Sequence, residues 1–321
     1  MLVSLLAACS TKTADEALPT VTPAGPAVSA PTTTAPAGDV RRLPIHATGA
    51  VFDAATSTLV VLGGRELAFL PGSGGQPRTT PLPAPATALI GDGAGVVYLS
   101  APGGYLRADV RTGESTKVGL IGRENTDFTA IARRADGRLV LGSADGTVYT
   151  LNPDNSIAAE VKLFARVDGL ATQGNTTIVL DRGQTSVTSI DAGGTRAQQA
   201  LRAGEGATTL AADPLGRLLV VDTRGEELLV FGIDPLIMRQ RYPVRDAPYG
   251  LVGTRTLAWV SLSAANAVVG YDLATGIPQE RVRYPTVRQP DVLSFDHTTN
   301  TLYVVSASGD GVQVIKNAGA R

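Results

Sequence analysis

Five arginines, Arg123, Arg166, Arg202, Arg245 and Arg288, recur at intervals of about 40 residues, each beside an acidic residue: Asp127, Asp168, Glu205, Asp246 or Asp291. Guanidinium groups gathered on one surface can hold carboxylates or phosphates in paired hydrogen bonds. The same residues can instead pair locally, each with its own acid, and tie neighbouring units of structure together. Tyr249 and Phe128 fall close to these positions and could add contact area.

Other chemistry is sparsely provided. The histidines are His46 and His297, too few and too far apart in the pattern for a zinc site or a histidine-based lyase. Serines are plentiful, but no Gly-x-Ser-x-Gly elbow is present. Gly72-Ser-Gly-Gly75 lacks the lysine and following helix of a phosphate loop. Repeat alignment puts Thr48, Thr87, Thr129, Gly169, Thr208, Tyr249 and Asp291 in equivalent slots. These are mostly small hydroxyls, not the converging carboxylates a calcium-dependent lactonase needs. The sequence therefore predicts no catalytic residues, no metal ligands and no cofactor. The net charge of −1 gives no basic field for nucleic acid.

The elements that position these residues come from the repeat itself. Copies begin near Ala47, Ala86, Asp127, Asp168, Ala207, Ala247 and Pro290. Each contains a small apolar strand, a turn, a continuous apolar strand, a Gly/Asp turn, a third strand, a Thr-Gly or Asx turn and a more polar strand. In the fifth copy these are Ala207–Asp213, Leu218–Asp222, Glu227–Phe231 and Ile237–Tyr242. A period of this length built of short strands predicts an all-β propeller. The last copy stops after its third strand near Lys316. Val40–His46 precedes the first copy and has no blade of its own, so it is expected to complete the last one. The predicted head is a seven-bladed propeller over residues 40–321, its last blade closed by an N-terminal strand.

Ahead of the head, residues 10–38 hold seven threonines and five prolines with few large apolar groups. Such composition predicts a disordered Thr/Pro/Ala-rich tether, assigned to residues 10–39. Residues 1–9 end in Leu6-Ala-Ala-Cys9, which resembles the bacterial lipobox, where small residues precede a cysteine that takes lipid on its thiol. Eight residues precede Cys9 and none is basic, so the segment is expected to be the remnant of a longer export signal.

The turns resembling Asp-x-x-Thr-Gly, with Pro248-Tyr-Gly250 and Pro290-Asp-Val292, resemble the YncE, NHL and quinoprotein-like group of seven-bladed propellers. With the lipobox and tether, the chain resembles actinobacterial propeller lipoproteins of the mycobacterial LppL type. Only four of the 28 basic residues are lysine (Lys12, Lys117, Lys162 and Lys316), a bias typical of high-GC bacterial genomes. The resemblance implies a lipid-anchored protein on the outer side of the cell membrane, without an established activity. The functional expectation is a non-catalytic protein-interaction or scaffold module with an envelope protein as partner. The alternatives are a binder of an anionic small ligand or glycan on the arginine-lined face, and a lactonase- or lyase-like propeller enzyme.

Overall fold

The computed structural model describes residues 18–319. The lipobox and Cys9 lie outside the described residues. Twenty-eight strands form seven four-stranded antiparallel sheets arranged as a ring, a seven-bladed β-propeller. Blade 1 is Gly49–Asp53, Thr58–Leu62, Glu66–Pro71 and Arg78–Pro81. Blades 2 to 6 repeat the plan from Leu89, Phe128, Gly169, Ala207 and Pro248. Blade 7 is Val292–Asp296, Thr301–Val305, Val312–Ile315 and the N-terminal strand Asp39–Arg41.

The burial pattern explains the order of apolarity within each copy. Second strands such as Thr58–Leu62 and Ala258–Leu262 are buried at every position. Each lies in the middle of its sheet, with a neighbouring blade on either face, so both sides of the strand must be apolar. Outer strands are largely exposed, and Ile157–Lys162 alternates because one side meets the next blade and the other meets water. The cores are accordingly seams between blades. Leu219, Val221 and Val230 of blade 5 pack with Val260 and Val269 of blade 6. Val60, Leu62 and Phe69 of blade 1 pack with Val97, Leu99 and Leu106 of blade 2.

Closure follows the expected scheme with shifted limits. Asp39, Val40 and Arg41 pair antiparallel with Val314, Gln313 and Val312. The ladder thus uses three residues and not the whole of 40–46. Beyond it the chain turns inward, and Leu43, Ile45 and Ala47 enter the seam between blades 7 and 1 beside Leu59, Val61, Tyr303 and Val305.

The free tether expected for residues 10–39 is not what the structure shows from Leu18 onward. Residues 18–38 run as an extended strap across the propeller. The Val21 N–H donates to the Gly183 carbonyl (2.8 Å) and the Ala37 N–H to the Pro285 carbonyl (3.0 Å). Prolines at 19, 23, 26, 31 and 36 hold such a chain extended before it docks, which lowers the entropy lost on docking.

Connections between blades and the turns from second to third strands lie at one end of the ring, here the upper face. Gly146 shows how tightly these are packed in blade 3. Its φ is +81°, and a Cβ there would lie 1.7 Å from the Phe164 carbonyl oxygen. Only glycine lets this turn meet the connection into blade 4.

The closing seam predicts unequal costs for neighbouring substitutions. Ile45 is 3% exposed and Val40 is 45% exposed. Ile45→Ala should destabilise the protein by about 2–5 kcal/mol, and Val40→Ala by no more than about 0.5 kcal/mol. Urea unfolding of the two variants beside the parent chain checks the contrast.

Candidate functional site at the channel mouth

On the upper face the central channel opens into a cavity of about 540 Å³ whose polar lining includes Thr48, Thr208, Asp168, Arg182, Tyr249 and Asp291. Two of the hydroxyls in the aligned slots join one blade to the next, and a third, Thr208, does so through Thr223. Thr87 Oγ1 of blade 2 donates to the Phe128 carbonyl of blade 3 (3.2 Å) and shares a bond with Ser100 Oγ (2.8 Å). Thr129 Oγ1 donates to the Val167 carbonyl on the way into blade 4 (2.5 Å). Thr208 bonds Thr223 (2.7 Å), and Thr223 Oγ1 donates to the Pro248 carbonyl of blade 6 (2.6 Å). These bonds satisfy backbone groups where sheets converge.

Four side chains at the mouth have spare capacity or unusual surroundings. Asp168 accepts from the Arg182 N–H (2.8 Å) and sits 3.2 Å from Arg166 Nε. Burial nevertheless holds its carboxyl above the usual range. Asp291 is 9% exposed. It accepts from Ser263 Oγ (2.6 Å) and Gln289 Nε2 (2.9 Å), yet burial outweighs both bonds and raises its pKa. No cationic side chain among the described residues contributes to its environment. The Tyr249 phenol is pushed up chiefly by burial, with the Arg182 charge lowering it and the Asp291 charge raising it. Arg182 donates through Nη2 to the Ala24 carbonyl of the strap, while its Nε is buried without a partner.

The five arginines singled out in the sequence do not converge. None of them lines the cavity. Arg123 pairs with Glu160 (2.5 Å), not with Asp127, and its guanidinium lies 5.4 Å from the Tyr149 ring centre. Arg166 pairs with Asp168 as its neighbour in sequence. Arg202 donates to the Gly204 carbonyl (3.0 Å). Arg288 pairs with Asp310 (3.3 Å) across blade 7, not with Asp291. Arg245 is exposed on the connection into blade 6. Arg123 and Arg288 each join the connection entering a blade to that blade, at Glu160 of blade 3 and Asp310 of blade 7, while Arg166 and Arg202 bond only two residues along the chain. Tyr249 and Asp291 are at the mouth as expected, and Arg182 joins them unanticipated. Its position is visible once the turns after the second strands are aligned, because Asp181-Arg182 in blade 4 parallels Asp222-Thr-Arg224 in blade 5.

Both aspartates in that parallel are buried and organise the upper face. Asp181 accepts from the backbone N–H groups of Ala165 (2.8 Å), Arg166 (3.3 Å) and Gln184 (2.9 Å). Asp222 accepts from Glu205 (2.7 Å), Gly206 (2.8 Å) and Gly225 (2.9 Å). A carboxylate taking three N–H donors ties the connection entering the blade to the turn beside it.

The histidines stay apart. His46 Nδ1 lies 3.1 Å from the Ala307 carbonyl at the rim of the mouth. His297 packs edge-on against Phe295 in the turn at the opposite end, and burial lowers its pKa. Among the described residues no three His, Cys, Asp or Glu side chains gather as a metal site.

No protein-family model and no curated protein sequence matches the chain. Solved structures resemble it in fold. A streptogramin B lyase matches with TM-score 0.71 and 14% identity over 87% of this chain and 97% of its own. A catalytically inactive His-to-Ala variant of virginiamycin B lyase from Staphylococcus aureus, solved with quinupristin, matches with TM-score 0.71 and 13% identity over 85% and 97%. A chain of the mitotic checkpoint complex matches with TM-score 0.74 and 11% identity over 90% and 98%. Enzymes and a non-enzymatic assembly share this architecture, and at such identities the likeness shows the fold alone.

The raised aspartates give a pH signature. A carboxyl whose pKa is higher folded than unfolded holds its proton more tightly in the fold. Its contribution is present at low pH and is lost as pH rises from about 4, the unfolded value, through the raised one. Asp291→Asn keeps an acceptor for Ser263 but cannot titrate. It should flatten the fall in stability over that interval, measured by urea unfolding at successive pH values; an unchanged slope would place the titration elsewhere.

Proposed function

We propose that the protein is a non-catalytic interaction module that engages a protein partner through the upper face of its propeller. The observation that carries this reading is the state of the channel mouth. Thr87, Thr129, Asp181 and Asp222 are spent on holding blades and connections together, and among the described residues no histidine joins the titratable groups lining the mouth. What remains open to a partner is a rigid rim of connections with exposed arginines and a shallow polar mouth. Closed propellers present such rims with little loss of entropy on binding.

The lipobox resemblance at Leu6–Cys9 supports placing this module on the outer side of the cell membrane, held by acyl chains on Cys9. Leu18 follows Cys9 by nine positions, a reach of at most about 30 Å. The strap starts on the upper face, so an anchor at Cys9 would keep that face near the membrane. A second reading, a small ligand in the mouth, is favoured by the unpartnered Arg182 Nε and the buried carboxylates of Asp168 and Asp291 that line the same cavity. Such a ligand would carry both an anionic group and a hydrogen-bond donor or cation.

Two measurements test the module reading. A photo-crosslinking residue at Arg245, on the upper face, should capture a discrete protein in intact cells. The same residue at Leu215, 54% exposed in a lower-face turn, should not. Capture from both positions or from neither would defeat it. Expressed behind a bacterial lipoprotein export signal, the chain should fractionate with membranes, and Cys9→Ala should release it; equal fractionation would remove the anchor.

A further inference from the structure

The strap is held almost entirely by its backbone. Arg224 Nη2 donates to the Thr22 carbonyl (2.6 Å), Arg182 Nη2 to Ala24, Gln289 Nε2 to Ala27 (2.8 Å), Asn266 Nδ2 to Ala30 (2.8 Å) and Gln313 Nε2 to Ala37 (2.7 Å). Five side-chain donors on blades 4 to 7 thus meet five strap carbonyls, strung along one extended path. Ser29 supplies the main side-chain contact, its Oγ donating to the Ser263 carbonyl (2.5 Å) and accepting from the Gln289 N–H (3.0 Å). The apolar side chains of the strap contribute little: Val28 is 92% exposed, and Val21 and Leu18 are also exposed. Ala24 is pressed close to Gly206, and Ala37 packs against the seam between blades 6 and 7.

This is the chemistry of a surface that reads polypeptide backbone and not sequence. Carbonyl-directed donors suit a proline-rich chain, which keeps every carbonyl while losing N–H groups, and which is already extended before it binds. The strap carbonyls take their bonds from these donors, and without the strap Arg182, already lacking a partner at Nε, would lose its Nη2 acceptor as well. We propose that the upper face is a groove for an extended, proline-rich segment of a partner protein, and that residues 18–38 occupy it as a displaceable stand-in. This deepens the interaction-module reading and rests on it: the strap both completes the groove and competes for it.

The test uses the full chain and a fluorescein-labelled synthetic peptide of residues 18–38 as probe. Ala24→Trp cannot fit against Gly206 and should lift the strap without touching the groove. Ser29→Pro removes the bonds at Ser263 and Gln289 and gives a second route. Provided each variant melts cooperatively as a propeller, both should bind the peptide about tenfold or more tightly than the parent chain, whose own strap competes at a millimolar effective concentration. Adding Arg182→Ala and Arg224→Ala to the Ala24→Trp chain should weaken binding about tenfold. A scrambled peptide that keeps the proline positions should bind nearly as well, and one with the prolines changed to glycine should bind worse.

The proposal is overturned if neither strap variant binds more tightly than the parent, or if the groove substitutions leave affinity unchanged. It is also overturned if the lifted strap drives a concentration-dependent dimer by docking on a second copy. Crosslinking from Arg245 that still captures a partner, while the peptide fails to bind, would reject the groove and leave the interaction module standing.

Discussion

The pairing of Asp39–Arg41 with Val312–Ile315 is the contact on which the rest depends. Every blade is stabilised by apolar packing on both of its neighbours, so an open ring would leave two apolar faces and a bare strand edge in water. The N-terminal strand removes all three. It also fixes where the preceding chain must go. The ladder carries the chain up to the connection into blade 1, and just before it the Ala37 N–H bonds the Pro285 carbonyl at the end of blade 6, so residues 18–38 reach the strand across the upper face, where donors from four blades meet them. Closure, strap and channel mouth are consequences of one another.

Electrostatics on the upper face is spent on structure before recognition. Asp181 and Asp222 each take three backbone N–H groups, and hydrogen bonds to charged acceptors are worth about 1.5–3 kcal/mol each where a neutral pair is worth less. The exposed pairs of Arg123, Arg166 and Arg288 are screened by water and contribute little. The buried carboxylates, not the arginines, therefore set the shape of the face. Asp168 and Asp291 have carboxyls raised by desolvation, the sign expected where burial exceeds the bonds supplied.

Much of the fold was legible because the repeat is physical. A strand buried on both faces must be continuously apolar, and seven such runs at a regular period leave few architectures open. The composite blade was legible from a strand without a sheet and a sheet without a strand. The site was less so. The five arginines align in sequence, but a long side chain in an exposed connection reaches whichever carboxylate or carbonyl is nearest, so alignment did not become convergence. Arg182 escaped notice because it sits in the turn between second and third strands. The strap escaped because its attachment uses carbonyls, which every residue possesses, and side chains that bury almost nothing. Composition that forecasts a free tether is also the composition of a chain ready to lie in a groove.

The central claim is that the proline-rich segment is part of the folded head and lies on the upper face. Hydrogen exchange of the full chain measures this at the strap amides themselves. The account predicts that the N–H groups of Val21, Ser29 and Ala37, which donate to Gly183, Gln289 and Pro285, exchange markedly more slowly than their intrinsic rates. The neighbouring Val28 and Thr33 amides should exchange freely. Exchange of all five at intrinsic rates would contradict it and return the segment to a free tether.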